Sequence, residues 1–349
     1  MNRTTVLGIE SSCDETSAAV VIDGKDVLSN VVWSQISTHK QFGGVVPEIA
    51  SRKHLEAVIP VLEEALDSAG VSLDEIDAIA ATQGPGLLGC LMIGLTTAKS
   101  LCAALGKPLV AVDHLQAHAA AGAIERDIEF PFIALVVSGG HTSLYLVRNA
   151  VEFEILGATR DDAAGEAFDK AAKVLGLGYP GGAEIDRVAK SGDRSKIKFP
   201  RPLSGQDTLW FSFSGLKTSL VHSIEKNGAP SEADLPDICA GYQEAIVDTL
   251  IEKSLLASEK TGIKNFVITG GVACNSRLRE KSSEIFKERG IKLAIPSPSL
   301  CTDNGAMIAA LGFHKLKEGQ TASLDVAAFS TSRVKIRRGK TEFPPNAGN

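Results

Sequence analysis

The chain has 349 residues, of which 44% are hydrophobic and 22% are charged, and its formal net charge at pH 7 is −6. A chain of this length exceeds a typical single hydrophobic core, so we expect two domains. The acidic balance argues against a wholly basic nucleic-acid-binding surface. The six cysteines form no C-x-x-C pair and show no disulfide-like spacing, which is typical of a reduced compartment.

Two further features predict a cytoplasmic protein. The first strand-like run begins at residue 4, which leaves no room for a signal or transit peptide. No apolar stretch approaches the ~20 residues that cross a bilayer. We therefore expect no membrane attachment.

The first half of the chain begins with three predicted strands. The apolar run VLGI is followed by the polar turn ESSCDET, the run SAAVVI and the returning strand KDVLSNVVW. Asp23 and Gly24 lie between the last two runs, and Asp-Gly between apolar runs predicts a hairpin. A helix over 48–69, the strand DAIAAT, the glycine turn QGPGLLG, a helix over 89–105 and the strand PLVAV come next. A helix that contains HLQAH closes this half.

The second half repeats this order. The strand FIALVV, the turn SGGHT, the strand SLYLV and the strand VEFEIL come first. Later, a helix through YQEAIVDTLIEKSLLASEK leads to the strand FVIT, the turn GGVACN, a helix to about 289, the strand KLAIP and a helix from about 303. An internal duplication of this kind determines the architecture better than any single propensity.

The duplication predicts an α/β protein with two lobes and a cleft between them. The pattern resembles the actin, Hsp70 and hexokinase superfamily, with duplicated ribonuclease-H-like domains. We expect a first lobe over 1–125 that is completed by a C-terminal helix at about 303–325, a second lobe over 126–302 with a helical insertion, and a tail over 326–349. The alternative is an unrelated α/β enzyme with one mixed sheet.

Two glycine turns at equivalent positions in the halves could bind phosphate. Small residues expose backbone N–H groups, which suit phosphate oxygens. The turn after FIALVV offers Ser138, Gly139 and Gly140, and the turn after FVIT offers Gly270 and Gly271. The chain contains neither a P-loop motif nor G-x-G-x-x-G. A tight structural turn is the other interpretation.

The segment DDAAGEAFDKAAKVLGLGYPGGAEIDRVAK (161–190) is rich in acidic residues. Asp169 and Asp186 could accept hydrogen bonds from a ribose or an amino-acid group. Exposed acids near helix starts, favoured by the helix dipole, explain the same pattern. The residues alone leave both interpretations open.

His114 and His118 are four residues apart in HLQAH and would share one face of a helix. A metal site needs a third protein ligand. The best candidate is Asp303 in CTDNGA, and Cys301 is a lower-ranked, softer ligand. Two histidines and one carboxylate suit iron(II) or zinc.

Several long motifs resemble the TsaD family of tRNA adenosine threonylcarbamoyltransferases. They are LGIESSCDETS, HLQAH, VVSGGHT, DDAAGEAFDKAAKVLGLGYPGG, FSFSGLKT, GGVACNSRLR and CTDNGAMI, and the similarity extends to about residue 312. The resemblance implies an actin-like fold and one divalent metal, iron(II) or alternatively zinc, on His114, His118 and Asp303. It also implies substrate contacts from Val136, Val137, Ser138, Gly139, Gly140, Asp169, Gly182, Asp186 and Asn275. Val136 replaces a tyrosine of the archaeal and eukaryotic branch, so the resemblance is to the bacterial type.

The resemblance implies a reaction and its partners. Threonylcarbamoyl-AMP donates its threonylcarbamoyl group to the N6 amine of the adenosine next to the anticodon in tRNAs that read ANN codons, and AMP is released. A TsaB-like paralogue and a TsaE-like ATPase would assist, and a TsaC-type synthase would supply the adenylate. Glu15, on the first polar turn, is the candidate for a cleft-facing acid or base. The basic stretches 194–201 and 333–340 are candidates for a tRNA-binding patch or for solvated faces.

Two other functions are compatible with parts of the sequence. A metalloprotease would have H-E-x-x-H, with glutamate as general base, but Leu115 follows the first histidine here. An ATP-binding scaffold or ATPase without transferase activity would keep the fold and leave the metal ligands unexplained.

Overall fold

The computed structural model describes residues 3–331, except for the side chain of Asn227. The strands in this range are β1 (Thr5–Glu10), β2 (Glu15–Ile22), β3 (Asp26–Ser34), β4 (Ala78–Gly84), β5 (Leu109–Asp113), β6 (Phe132–Val137), β7 (Thr142–Asn149), β8 (Glu152–Ala158), β9 (Asn265–Thr269) and β10 (Lys292–Ala294). The helices are α1 (Ile36–His39), α2 (Pro47–Ala69), α3 (Leu88–Leu105), α4 (His114–Glu125), α5 (Ala164–Val174), α6 (Gly181–Ala189), α7 (Ser214–Asn227), α8 (Leu235–Thr261), α9 (Ser276–Glu288), α10 (Pro298–Cys301) and α11 (Gly305–Lys317).

The first sheet has the strand order β3-β2-β1-β4-β5. β2 is antiparallel to both β1 and β3, whereas β4 is parallel to both β1 and β5. Asp23 and Gly24 both have positive φ, which is the backbone of a tight hairpin turn. The hairpin predicted from Asp-Gly is confirmed.

Both faces of this sheet are covered by helices. Alternate strand residues such as Val6 and Val21 pack with Met307 and other residues of α11. The intervening residues, such as Leu7 and Val20, pack with α2 and α3. Strands that are buried on both faces are apolar throughout, which explains the continuous runs in the sequence.

The second sheet has the order β8-β7-β6-β9-β10, which matches the first sheet strand for strand. β6 is parallel to β9, and β9 is parallel to β10. The predicted α/β duplication is therefore confirmed, and a single mixed sheet is excluded for the described residues.

The chain forms two compact units. The first contains the chain up to Ile128, residues 147–153 and the described residues from Pro296 onward. The second contains residues 129–146 and 154–295. Residues 126–128, 147–153 and 296–302, which we expected in the second lobe, belong to the first unit.

One helix is more apolar than we expected. α3 has 18 residues with a mean hydropathy of 1.6, so by length and composition it could cross a membrane. The sequence-based expectation that no stretch reaches this length was therefore wrong. Leu95, Ala98 and Cys102 of α3 pack in the core of the first unit, and core helices of soluble proteins have the same composition.

Candidate metal centre and substrate turns

His114 begins α4 directly after β5, and His118 lies four residues further along the helix. Asp113 ends the strand and caps the helix, accepting hydrogen bonds at 3.0 Å from the backbone N–H groups of Leu115 and Gln116. His114 and His118 are on successive turns, with their ring centroids 4.7 Å apart and the rings nearly perpendicular. Because they are four residues apart, they share one face of α4. Both side chains are buried, so this face lies in the interior of the first unit.

Asp303 lies in the turn between α10 and α11. The next residue, Asn304, caps α11 by accepting from the backbone N–H of Met307. α11 packs closely on the sheet through Gly305, where an added Cβ would be 2.7 Å from the carbonyl carbon of Ala18. This close packing brings Asp303 Oδ1 to 2.9 Å from His118 Nε2 and 3.7 Å from His114 Nε2.

These three side chains fit a divalent metal. One ligand atom from each of His114, His118 and Asp303 lies within 4.8 Å of the others. Two imidazoles and a carboxylate suit iron(II) or zinc. Cys301 is outside this group, and its thiol is directed at the carbonyl of Pro296, 3.4 Å away.

Glu10 adjoins this site, and the sequence did not reveal it. It ends β1, is fully buried, and has Oε2 at 3.0 Å from His114 Nδ1. Burial opposes the charge of Glu10, but the charge and hydrogen bond of His114 hold its pKa below the usual value. Burial likewise opposes protonation of His114, but Glu10 and Asp303 raise its pKa to about 9. The only signal in the sequence is an acid at the end of an apolar strand.

Glu15 begins β2 and accepts a hydrogen bond of 3.1 Å from the hydroxyl of Ser34. Burial, with the nearby charges of Asp14 and Asp303, raises the pKa of Glu15 well above the usual value. Raised carboxyl pKa values are common among catalytic acids and bases.

The turn after β6 exposes two glycines. Ser138 N–H donates to the carbonyl of His141 at 2.8 Å, which closes the turn, and no atom lies within 4 Å of a Cβ added at Gly139 or Gly140. Val136 and Val137 are fully buried in β6, so only their backbone could contact a ligand. Gly165, at the start of α5, packs on this turn, and an added Cβ would be 2.5 Å from the Ser138 carbonyl oxygen.

Three of the remaining predicted substrate residues, Asp169, Asp186 and Asn275, form hydrogen bonds at the starts of helices. Asp169 Oδ1 accepts the backbone N–H of Gly181 at 2.7 Å, next to the open position of Gly182. Asp186 accepts the hydroxyl and the backbone N–H of Ser276 at 2.8 and 3.2 Å. Asn275 caps α9 at the N–H of Leu278 and donates to Gln243 Oε1 at 2.8 Å.

A cavity of about 350 Å³ lies beside these residues in the second unit. Ser276, which is bonded to Asp186, and Gln243, which is bonded to Asn275, both line it. Its charged lining residues have both signs: Lys190, Arg194, Arg277, Glu244 and Glu280. Its volume is that of a small-molecule site.

The basic stretch 194–201 is largely neutralised by acidic residues. Arg194 is 3.9 Å from Glu280, Lys196 is 2.5 Å from Asp237, and Arg201 is 2.5 Å from Asp248. These ion pairs weaken the interpretation of the stretch as a tRNA-binding patch. The other basic stretch, 333–340, lies outside the described residues.

Comparison with known proteins identifies the family. The family model described as TsaD, tRNA N6-adenosine threonylcarbamoyltransferase, matches residues 26–310. The chain belongs to the TsaD family. Curated proteins of that name are 56% identical over 93% of this chain and 94% of their own length in Geotalea uraniireducens, and 57% identical over 93% and 96% in Syntrophus aciditrophicus.

Solved structures with low sequence identity share the fold. Full-length HypF in a phosphate- and nucleotide-bound form is 14% identical with a TM-score of 0.64, covering 91% of this chain and 47% of that chain. Component A of the Acidaminococcus fermentans (R)-2-hydroxyglutaryl-CoA dehydratase is 16% identical with a TM-score of 0.54, covering 91% and 100%. At these identities the likeness supports the fold alone.

Proposed function

We propose that this protein transfers the threonylcarbamoyl group of threonylcarbamoyl-AMP to the N6 amine of the adenosine next to the anticodon in tRNAs that read ANN codons. The match of residues 26–310 to the TsaD family carries this proposal. The products are threonylcarbamoyladenosine in the tRNA and AMP.

The second unit supplies the adenylate site. The backbone of residues 136–140 binds the phosphate or carbamoyl oxygens, because Gly139 and Gly140 leave their N–H groups accessible. The nucleoside occupies the cavity that Ser276 and Gln243 line. Asp169, Gly182, Asp186 and Asn275 orient it from the adjoining helix starts.

The first unit supplies the metal site, on His114, His118 and Asp303. Iron(II) is our assignment, with zinc as the alternative, because both suit this donor set. A divalent cation held by these residues would act as a Lewis acid and would stabilise negative charge that develops on substrate oxygens.

Glu15 takes the proton that the N6 amine loses as its nitrogen attacks the carbamoyl carbon. A raised pKa makes a carboxylate a stronger base, and burial beside Asp14 provides that rise. Metal binding by Asp303 would remove the part of the rise in the pKa of Glu15 that the Asp303 charge causes. Glu15→Gln should lower kcat while metal content and AMP affinity stay at wild-type values; an unchanged kcat would remove Glu15 from this role.

Reconstitution tests the transferase function. The full chain is combined with TsaB-like, TsaE-like and TsaC-type proteins and an unmodified tRNA, and the nucleosides are analysed by mass spectrometry. The wild type should form threonylcarbamoyladenosine. His118→Ala should lose both the product and the bound metal in elemental analysis. His222→Ala, a change of the same kind at an exposed position of α7, is the control and should lose neither.

The two alternatives predict different results. ATP binding without any modified nucleoside would favour the scaffold or ATPase. A protease would cleave protein substrates, but Leu115 occupies the position of the general base and is 2% exposed. The buried Leu115 therefore counts against proteolysis.

The partner surface that we propose for the TsaB-like paralogue is the apolar face of α2 and α3. Leu55 and Ile59 of α2 and Leu88 and Met92 of α3 are exposed by 49–66%, and each pair is one helical turn apart. The two helices pack together, with Ser51 Cβ 3.3 Å from a Cβ added at Gly89. Leu55→Glu with Met92→Glu should abolish co-purification of the paralogue, whereas Leu324→Glu, at an exposed leucine outside both helices, should not.

We also propose that the reaction takes place in the cytoplasm. The proposed substrate is tRNA, and all six cysteines are free, as expected in a reducing compartment.

A further inference from the structure

We propose that Glu10 is a positioning residue for the metal: its carboxylate holds the His114 ring with the proton on Nδ1 and so presents Nε2 to the cation. The inference rests on the proposed metal site. It concerns a residue that lies 104 positions from His114 in the chain.

The contacts of Glu10 fix its carboxylate in one orientation. Oε1 accepts the backbone N–H of Ser12 at 2.5 Å. Oε2 accepts the hydroxyl of Thr82 at 2.6 Å and is 3.0 Å from His114 Nδ1. Because Glu10 is fully buried, no solvent competes for these positions, and a buried carboxylate requires such partners.

The geometry distinguishes this role from that of a ligand. Nδ1 and Nε2 are on opposite sides of the imidazole ring, and Nε2 is the atom of His114 that faces Asp303 Oδ1, 3.7 Å away. Glu10, on the Nδ1 side, is therefore behind the ring as seen from the metal site. A carboxylate that accepts the second ring N–H of a metal-binding histidine sets the tautomer and raises the basicity of the other nitrogen.

The second histidine shows the contrast. His118 Nδ1 is buried and has no hydrogen-bond partner among residues 3–331. The orientation of His118 depends on packing in α4 and on its Nε2 contact with Asp303. Of the two histidines, only His114 has a carboxylate at Nδ1, the nitrogen on the side of the ring away from Asp303.

The test measures zinc affinity of the metal-free full-length protein by competition with a fluorescent chelator. Glu10→Gln keeps the shape of the side chain and removes its charge, and zinc binding should weaken about 10- to 100-fold. Ser11→Ala is the matched control, because it removes a buried hydroxyl that donates to the Cys90 carbonyl at 3.0 Å and does not contact the histidines. Ser11→Ala should bind zinc like the wild type.

Thermal unfolding of the metal-free variants separates a structural role from a positioning role. If Glu10 only supported the fold, Glu10→Gln would unfold at a lower temperature and bind zinc normally once folded. If Glu10→Gln binds zinc like the wild type and His118→Ala does not bind zinc, the role of Glu10 is refuted and the metal site is supported. Zinc retained by His118→Ala would instead overturn the metal site.

A second variant covers the case in which Glu10→Gln does not fold. Thr82→Val removes the hydroxyl that orients Oε2 and leaves the carboxylate in place. The loss of one such bond should weaken zinc binding by about 2- to 10-fold. Unchanged zinc affinity in Thr82→Val would then refute the proposal.

Discussion

Gly139→Val separates ligand binding from folding at the turn after β6. Nothing lies within 4 Å of an added Cβ at Gly139, and its φ is not positive. The valine side chain therefore enters open space, and the free energy of unfolding should change by no more than about 0.5 kcal/mol. The same side chain blocks the approach of a phosphate to the backbone N–H groups of the turn.

The expected loss of affinity follows from those N–H groups. Hydrogen bonds to a charged partner contribute about 1.5–3 kcal/mol each, so losing one should weaken AMP binding roughly 10- to 100-fold. Isothermal titration with AMP gives the affinity, and thermal unfolding of the same sample gives the stability.

Gly165→Val is the matched control. Its added Cβ would be 2.5 Å from the Ser138 carbonyl oxygen and 2.6 Å from Gly139 Cα, so the backbone of the turn must shift. The free energy of unfolding should therefore fall by at least the cost of overpacking, about 1–3 kcal/mol. If Gly139→Val is folded and binds AMP like the wild type, the turn does not hold the phosphate and our adenylate site is wrong.

Two further predictions concern charges in the second unit. Burial opposes the charge of Glu244, but the hydrogen bonds and charges of Arg277 and Lys281 lower its pKa to about 2. Glu244 therefore contributes up to ~3 kcal/mol to the free energy of unfolding above pH 4.5. This contribution is lost as the pH falls towards 2. Urea unfolding should show Glu244→Gln less stable than the wild type at pH 7, and an equal gap at pH 2.5 would contradict this assignment. The second prediction is a variant in which glutamine replaces Arg194, Lys196, Lys198 and Arg201. Of these four residues only Lys198 has no ion pair within the described range. The slope of log affinity for tRNA against log salt concentration should therefore fall by roughly 0.7–0.9, the value of one phosphate contact. If a salt series shows that the slope falls by the value of several contacts, the stretch 194–201 does bind tRNA as a patch.

Local signals predicted the fold. Runs such as VLGI and FIALVV, each followed by a small polar turn, gave the strands, and Asp23-Gly24 gave the hairpin, because turn chemistry and periodicity act over a few residues. The helix predicted over 48–69 is α2, Pro47–Ala69. The repetition of this order in two halves then predicted the matching strand orders of the two sheets.

Contacts between distant residues were not predictable in the same way. His114 and His118 could be paired from helical spacing, whereas Glu10 reaches His114 only because β1 and α4 meet in the folded unit. The basic stretch was ambiguous for the same reason: Asp237 lies 41 residues from Lys196 along the chain. No periodicity connects such pairs, since their contact depends on the packing of whole elements.

For the acidic residues of the proposed adenylate site, a hydrogen bond at a helix start and ligand binding are compatible roles. A carboxylate has about four acceptor positions, and the bond from Gly181 to Asp169 Oδ1 uses one of them. Asp186 likewise bonds to Ser276 at the start of α9. Each bond fixes the rotamer of its side chain, which lowers the entropy cost of accepting a further hydrogen bond from a ribose. The interpretation of these acids as helix-start charges is therefore compatible with ligand binding, because the bond at the helix start holds the side chain in place.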